Sequence, residues 1–448
     1  MLLNMWVKWF KFSPPQILVL GFAAIILTGA LLLMLPISST TGESLPFVDA
    51  LFTATSATCV TGLIVVDTGT YYSTFGQVVI MLLIQIGGLG FMTVATLFSL
   101  VFKRKISLKD RLLLQEAMNQ NTMEGIVRLI RKVLLYSLVI ESSAALIFTI
   151  RWSLDMPFGR ALYFGIFHGV SMFNNAGFDL FGHYQSLTKY VGDPIVNLVT
   201  MFLIVSGGLG FIVLSDLVDF RKHRKLSLHS KVVLTMTGSL ILIGALVIFV
   251  FELTNRGTLS GLSWGEKIWS SFFQSVTART AGANTLDIGA LRQASQFFIV
   301  ILMFIGASPS STGGGIKTTT FMILIGAVIS MIRGRSDLVL FRYRLAQDRI
   351  FKAVTLTMLA LFLVITVSMV LSTTEDASFL SILFETTSAF GTVGLSMGLT
   401  AKLTIFGKII LSFTMFAGRL GPLTMAFALG PKKGKELYRH PEGKIIIG

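Results

Sequence analysis

The chain is 448 residues long, 53% hydrophobic and only 13% charged, with a formal net charge of +15. A soluble chain carries about twice that charged fraction, and uncharged runs of the ~20 residues that span a bilayer recur here, so this is a polytopic membrane protein. The single Cys59 excludes an intrachain disulfide and any multi-cysteine metal site, and the five His show no ligand spacing.

Taken in chain order, the first apolar run, Ile17 to Leu35, follows Lys8 and Lys11 without a small-residue cleavage site and reads as a retained span. Basic residues then mark one set of loops. Of the 37 Lys and Arg, 26 fall in the N-terminus, in 103–132, 221–231 and 333–352, and beyond 431; 9 lie in the opposite loops and pore segments, while Lys317 and Arg419 lie inside apolar runs. Acids divide the other way, 9 with the basic set and 12 opposite, with Glu141 mid-span. The positive-inside rule places the basic set in the cytoplasm, which accounts for the charge without nucleic acid. The outer excess of acids mildly attracts cations.

Four segments share a register: FTATSATCVTGL (52–63), FHGVSMFNNAGF (167–178), FFQSVTARTAGA (272–283) and FETTSAFGTVGL (384–395). In each, a Gly follows the opening Phe by ten residues, giving Phe52/Gly62, Phe167/Gly177, Phe272/Gly282 and Phe384/Gly394. Before each lies a span (16–36, 133–150, 232–251, 353–372). After each lies a second apolar run with its own glycine, Gly87, Gly207, Gly306 and Gly418. For these second glycines, close helix packing is an equal reading. The predicted unit of span, short re-entrant helix, glycine loop and span occurs four times. The fold class is therefore an all-α polytopic membrane protein with eight crossings around one central pore. The units divide as 1–115, 116–222, 223–345 and 346–431, with a cytoplasmic tail at 432–448.

Irregular backbone at membrane depth must be buried in protein or line water. Four equivalent loops around one axis form a ring of carbonyls that can replace the hydration shell of a monovalent cation. Glycine turns a carbonyl inward without Cβ strain, and the C-termini of four short helices aimed at the axis add partial negative charge. Residues 306–317, GASPSSTGGGIK, break the second span of the third unit just inside these loops. Gly306, Gly313, Gly314 and Gly315 supply flexibility, Pro309 ends the helix, and Ser308, Ser310, Ser311 and Thr312 satisfy freed backbone groups. A static kink between two half-helices is the other reading. GGGIKTT lacks the GK[ST] ending of a phosphate-binding loop, and IGGLGF has no βαβ setting, so no nucleotide site is visible.

The motifs LFTATSATCVTGL, IQIGGLGFMT, FNNAGF, VTARTAG, GASPSSTGGGIKTTT, FGTVGL and AGRLGPLT, in this order, resemble the membrane subunit of the Ktr/Trk/HKT potassium-uptake superfamily, of the bacterial KtrB/KtrD type. The resemblance implies four M1-P-M2 repeats like a potassium channel made from one chain. It implies a selectivity filter of Val60-Thr61-Gly62, Asn175-Ala176-Gly177, Thr280-Ala281-Gly282 and Thr392-Val393-Gly394, binding potassium. In plant relatives, Ser in the first loop accompanies sodium preference, so Gly62 favours potassium. Ala283 departs from the aromatic usual after the third glycine. The loop 306–317, Lys317 included, corresponds to an intramembrane gate, and Arg419 to a charge that limits outward cation flow; an ion pair with an acid is its alternative. Lys317 has the option of reaching the cytoplasmic interface, and Glu141 that of a helix–helix hydrogen bond.

The resemblance further implies a cytosolic ring of nucleotide-binding regulatory subunits, with 103–111, 221–231 and 333–352 as docking or lipid-facing surfaces. It also implies a homodimer with the tail 439–448 on the neighbour, and a bacterial cell membrane location with both termini cytoplasmic. Potassium is the substrate, sodium a modulator, and this chain binds no nucleotide. The alternative of the same class is a sodium-permeable or sodium-coupled transporter. Against an enzyme stands the lack of a nucleophile–base pair or metal cluster at membrane depth. Against an organic-solute carrier stand the re-entrant repeats.

Overall fold

The computed structural model describes residues 13–90, 93–94, 96, 112–115, 125–335 and 337–429. The loop 103–111 and the tail 432–448 lie outside the described residues.

Among the described residues, four helices are long and apolar enough to cross a bilayer: α1 (Pro14–Leu33), α4 (Ile126–Trp152), α8 (Leu228–Glu252) and α12 (Gln347–Thr374). Their starts are written locally. Pro14 is the first residue of α1, where its missing N–H costs nothing, and the Ser227 hydroxyl accepts from the Ser230 N–H at α8. Large apolar side chains such as Leu31, Leu246, Phe362 and Met369 stand more than 60% exposed on them. On a soluble protein this would be an aggregation surface; here it is the face turned to lipid.

Each long helix is followed by a short one: α2 (Phe47–Thr58), α5 (Phe158–Phe173), α9 (Trp264–Thr277) and α13 (Phe379–Gly391). Pro46 and Pro157 precede two of them, a Ser263/Glu266 capping box opens the third, and Ser378 caps the fourth. Each ends just before its glycine loop. The second spans are α3 (Thr74–Leu89), α6 (Pro194–Leu209), α10 (Gln293–Ile305) and α14 (Ile405–Leu420).

The sequence predicts a break only in the third of these. The structure breaks all four. Gly90, Gly210 and Gly421 stand at φ 82°, 91° and 85° directly after α3, α6 and α14, a left-handed backbone that stops a helix. Beyond Gly210 the chain turns by about 101° into α7 (Phe211–His223), and beyond Gly421 it resumes as α15 (Pro422–Leu429). In the third unit the break starts earlier, at Gly306 with φ 62°, and extends to α11 (Thr318–Ile332). The basic segment 333–352 contains a small antiparallel hairpin, β1 (Val339–Leu340) and β2 (Tyr343–Arg344), turned by Phe341 and Arg342 in the left-handed region. With the isolated antiparallel bridge between Ser39 and Tyr72, it is the β-structure among the described residues.

The second-span glycines are contact points. A Cβ added to Gly87, Gly207 or Gly418 would collide with the carbonyl oxygen of Thr58, Phe173 or Phe390 respectively. Those carbonyls hold one register, six residues after the opening Phe of their own segment. The close-packing reading therefore accounts for three of the four glycines. Gly306 instead meets the carbonyls of Gly314 and Ile316.

Gly87→Ala should destabilise the fold by about 1–3 kcal/mol, because the methyl meets backbone that cannot give way. Gly238→Ala, mid-helix in α8 with nothing within 4 Å of the added Cβ, should be neutral or stabilising. Thermal unfolding of the two purified variants measures the contrast.

Candidate ion-conduction site

The four glycine loops close into a ring. An added Cβ at Gly62 would meet the carbonyl of Ala176 and lie 3.5 Å from the Gly177 Cα; at Gly177 it would meet Ala281 and Gly282; at Gly282, Val393 and Gly394; and at Gly394, Thr61 and Gly62. The order 62, 177, 282, 394 returns to 62, so each loop touches the next and the circuit is complete. Two loops meet at each contact with no space for a side chain.

Two positions before each glycine stand Val60, Asn175, Thr280 and Thr392, with φ 58°, 60°, 83° and 49°. The ring glycines are also left-handed, at 92°, 66°, 77° and 91°, while Thr61, Ala176, Ala281 and Val393 are not among the positive-φ residues. Alternating handedness turns consecutive peptide groups the same way, N–H on one side and carbonyl on the other. The N–H side faces the short helices: Thr61 donates to the Ser56 carbonyl at 2.7 Å, Ala176 to Ser171 at 2.8 Å, Ala281 to Thr277 at 3.0 Å and Val393 to Ser388 at 2.8 Å. Ser56 and Ser388 use their hydroxyls as well, accepting from the N–H of Gly62 at 3.0 Å and of Gly394 at 3.1 Å. Among the described residues, no protein donor is bonded to a carbonyl of these twelve loop residues. The buried ring thus presents bare acceptors, the arrangement that coordinates a dehydrated cation.

The left-handed quartet was not legible in the sequence. Of its members only Asn175 is a residue type that favours positive φ; Val60, Thr280 and Thr392 are β-branched and strained there. Their full burial and the N–H bonds behind them hold the conformation. Ala283, the departure in the third loop, is also fully buried, and its carbonyl accepts from the Thr277 hydroxyl at 2.5 Å.

Beneath the ring lies the 306–317 segment. A Cβ on Gly313 would sit 2.8 Å from the Thr280 Cβ, and one on Gly314 would sit 2.6 Å from the Thr392 hydroxyl. The Gly314 N–H in fact donates to that hydroxyl at 2.9 Å. On its other side the segment docks onto α6: Ser308 and Thr312 donate their N–H to the carbonyls of Gly208 and Gly207 at 3.0 and 3.2 Å. Phe211 N–H donates to the Ser310 carbonyl at 3.0 Å, joining the two breaks.

Two expectations are corrected here. Neighbouring helix ends, rather than the segment's own hydroxyls, satisfy most of its backbone: the Ser308 hydroxyl pairs with Thr318 at 2.9 Å, and the Ser311 hydroxyl has no partner among the described residues. Gly313 and Gly314 serve close approach, and Gly306 and Gly315 left-handed turns, at φ 62° and 70°. Lys317 does not extend away from the segment; its ammonium turns back to the carbonyl of Gly313 at 2.6 Å.

Arg419 completes the layer. Its Nη1 donates to the Thr312 carbonyl, and its Nη2 to the carbonyls of Gly87 and, at 3.1 Å, Gly88. No carboxylate lies within ion-pair distance of it among the described residues. The guanidinium therefore bridges the segment, lodged against units two, three and four, to the second span of unit one.

The comparisons with known proteins bear on this arrangement. Residues 14–433 match TrkH, described as a cation transport protein. The chain belongs to the TrkH family. This TrkH-family protein is 49% identical to Ktr system potassium uptake protein B of Bacillus subtilis, over 99% of this chain and 98% of that one. It is 40% identical to potassium/sodium uptake protein NtpJ of Enterococcus hirae, over 98% of both. The crystal structure of the potassium transporter TrkH from Vibrio parahaemolyticus has the same fold, with a TM-score of 0.75 at 18% identity, covering 94% of this chain and 86% of that one.

Beside the ring of this TrkH-family protein, outside the spans, burial lifts the Asp179 carboxyl to about 7, with neighbouring Asp67 adding to the rise against N–H bonds from Phe181 and Gly182. Asp67 ties the loops after the first two ring glycines together, accepting from the N–H of Thr70 at 2.8 Å and of Tyr184 at 2.7 Å.

Truncating Arg419 to Ala leaves carbonyls on two units without their donor, and the stability should fall by about 1–3 kcal/mol. Arg419→Lys should recover only part of this, since one ammonium cannot span the fork between Thr312 and the Gly87–Gly88 pair. Thermal melts of the variants in one detergent test both statements.

Proposed function

We propose that this chain is the potassium-translocating membrane subunit of a Ktr/Trk-type uptake system, conducting potassium passively inward, and that it is not an enzyme. The observation that carries the reading is the closed glycine ring with bare carbonyls facing away from its N–H bonds. Four identical small contacts fix the ring's diameter, and diameter and field strength are what select one monovalent cation over another. The names of the Bacillus and Enterococcus relatives support potassium as the ion. Entry needs no pump, because an inside-negative potential supplies ~2.3 kcal/mol per 100 mV for each inward charge.

In this reading Val60 to Gly62, Asn175 to Gly177, Thr280 to Gly282 and Thr392 to Gly394 form the filter. The 306–317 segment is a closed gate, and Arg419 adds a repulsive charge beneath the filter, where little water screens it. The four repeats divide at 1–115, 116–222, 223–345 and 346–431. Both termini face the cytoplasm, where a nucleotide-binding ring controls the gate, and the chain works as a homodimer in a bacterial cell membrane. The second reading, a sodium-permeable or sodium-coupled transporter, is favoured by one observation, the potassium/sodium name of the Enterococcus relative.

Gly62→Ser should lower the potassium-to-sodium uptake ratio about tenfold, the equivalent of ~1.4 kcal/mol of lost discrimination. An unchanged ratio in liposomes offered each ion separately would remove the first loop from the filter.

Deleting Gly313 to Gly315 should raise potassium flux in the absence of the cytosolic partner and abolish most of its dependence on that partner, because a regulator shifts only an equilibrium whose states it distinguishes. A monodisperse deletion variant with low basal flux and intact activation would refute the gate.

A further inference from the structure

The intramembrane carboxylate Glu141 plays no part in the reading above. It sits on α4 at 8% exposure, and no basic side chain lies within ion-pair distance of it among the described residues. Its oxygens accept from the Gln85 amide at 3.2 and 3.1 Å and from the Asn174 amide at 3.1 Å, while Asn174 also donates to the Gln85 oxygen at 2.8 Å. One knot thus joins α4, the second span of unit one (α3), and the C-cap of α5 directly before the filter residue Asn175.

Gln85 lies two and three residues before Gly87 and Gly88, whose carbonyls hold Arg419. Gly88 packs directly on Asn174; an added Cβ would lie 2.8 Å from the Asn174 Cβ. Gly169 packs α5 onto the Glu141 backbone, where an added Cβ would lie 3.1 Å from the carbonyl. The residue type matters. Two amide side chains aim N–H groups at position 141, and a carboxylate, an acceptor only, takes them all, whereas Gln would oppose one with a donor of its own.

We propose that Glu141 is a positioning residue for the Arg419 barrier: by clamping α3 to α5 it fixes the Gly87 and Gly88 carbonyls where they hold the guanidinium beneath the ring. The inference rests on the reading of Arg419 as a barrier.

The test is potassium flux through the full-length chain in liposomes without its cytosolic partner, with folding checked by thermal unfolding and monodispersity. Glu141→Ala should raise basal flux about fivefold, the size of effect that side chains coupled to a site without touching its ligand produce, and Glu141→Gln should raise it less. Gln85→Leu, which leaves Glu141 in place but removes its main donor, should match Glu141→Ala and decides the matter where the latter does not fold. In an Arg419→Ala background each should add less than about twofold, since coupled residues are not additive. If Arg419→Ala alone leaves flux unchanged, the barrier reading fails. If it raises flux while folded Glu141→Ala and Gln85→Leu do not, or if they raise flux as much without Arg419 as with it, the positioning role fails and the barrier stands.

Discussion

Direct backbone-to-backbone contact is the constraint on which this architecture depends. It operates at two levels of the same axis. In the ring, Gly62, Gly177, Gly282 and Gly394 each lie against the next loop's carbonyl. One layer inward, Gly87, Gly207 and Gly418 each lie against a carbonyl in the last turn of their own short helix. A hydrophobic core tolerates shape changes by repacking side chains. These contacts have no side chain to repack, so the spacing of four chain segments about the axis is set by peptide groups alone. In lipid, where the hydrophobic effect does not drive helices together, such contacts and the hydrogen bonds around them hold the bundle.

The same geometry explains why each second span is broken. A straight helix running on from the glycine contact would carry its inner half along the axis. The left-handed residues at Gly90, Gly210 and Gly421 turn the chain away, as the 101° bend after α6 records. The third unit breaks earlier and returns across the axis before continuing. Its polar backbone is tolerated at that depth because neighbouring units supply partners: carbonyls of Gly207 and Gly208, the Thr392 hydroxyl, and the Arg419 guanidinium. One pseudosymmetric position thus holds Gly88, Gly208, Ala307 and Arg419, and the departure from symmetry at the last two is what fills the centre.

Much of this was legible in the sequence because it depends on residue spacing along one chain. The apolar runs give the spans, the charge division gives an expected orientation, and the Phe-to-Gly offset of ten gives the four loops. The polar break at 306–317 and the charge at Arg419 stand out because lipid penalises both. The second-span glycines were visible too, yet sequence could not separate a packing role from any other, since the carbonyl they meet lies about thirty residues away.

What only the tertiary structure decided is the set of features that require several units at once. The left-handed quartet includes three β-branched residues that local preference argues against, and burial against other units overrides that preference. Arg419 donates to carbonyls rather than pairing with an acid because units one and three bring those carbonyls to it. Glu141 meets Gln85 and Asn174 from elements 56 and 33 residues away. A sequence specifies spacing and local conformation one segment at a time; the partners of a buried charge are fixed only when four such segments close around a common axis.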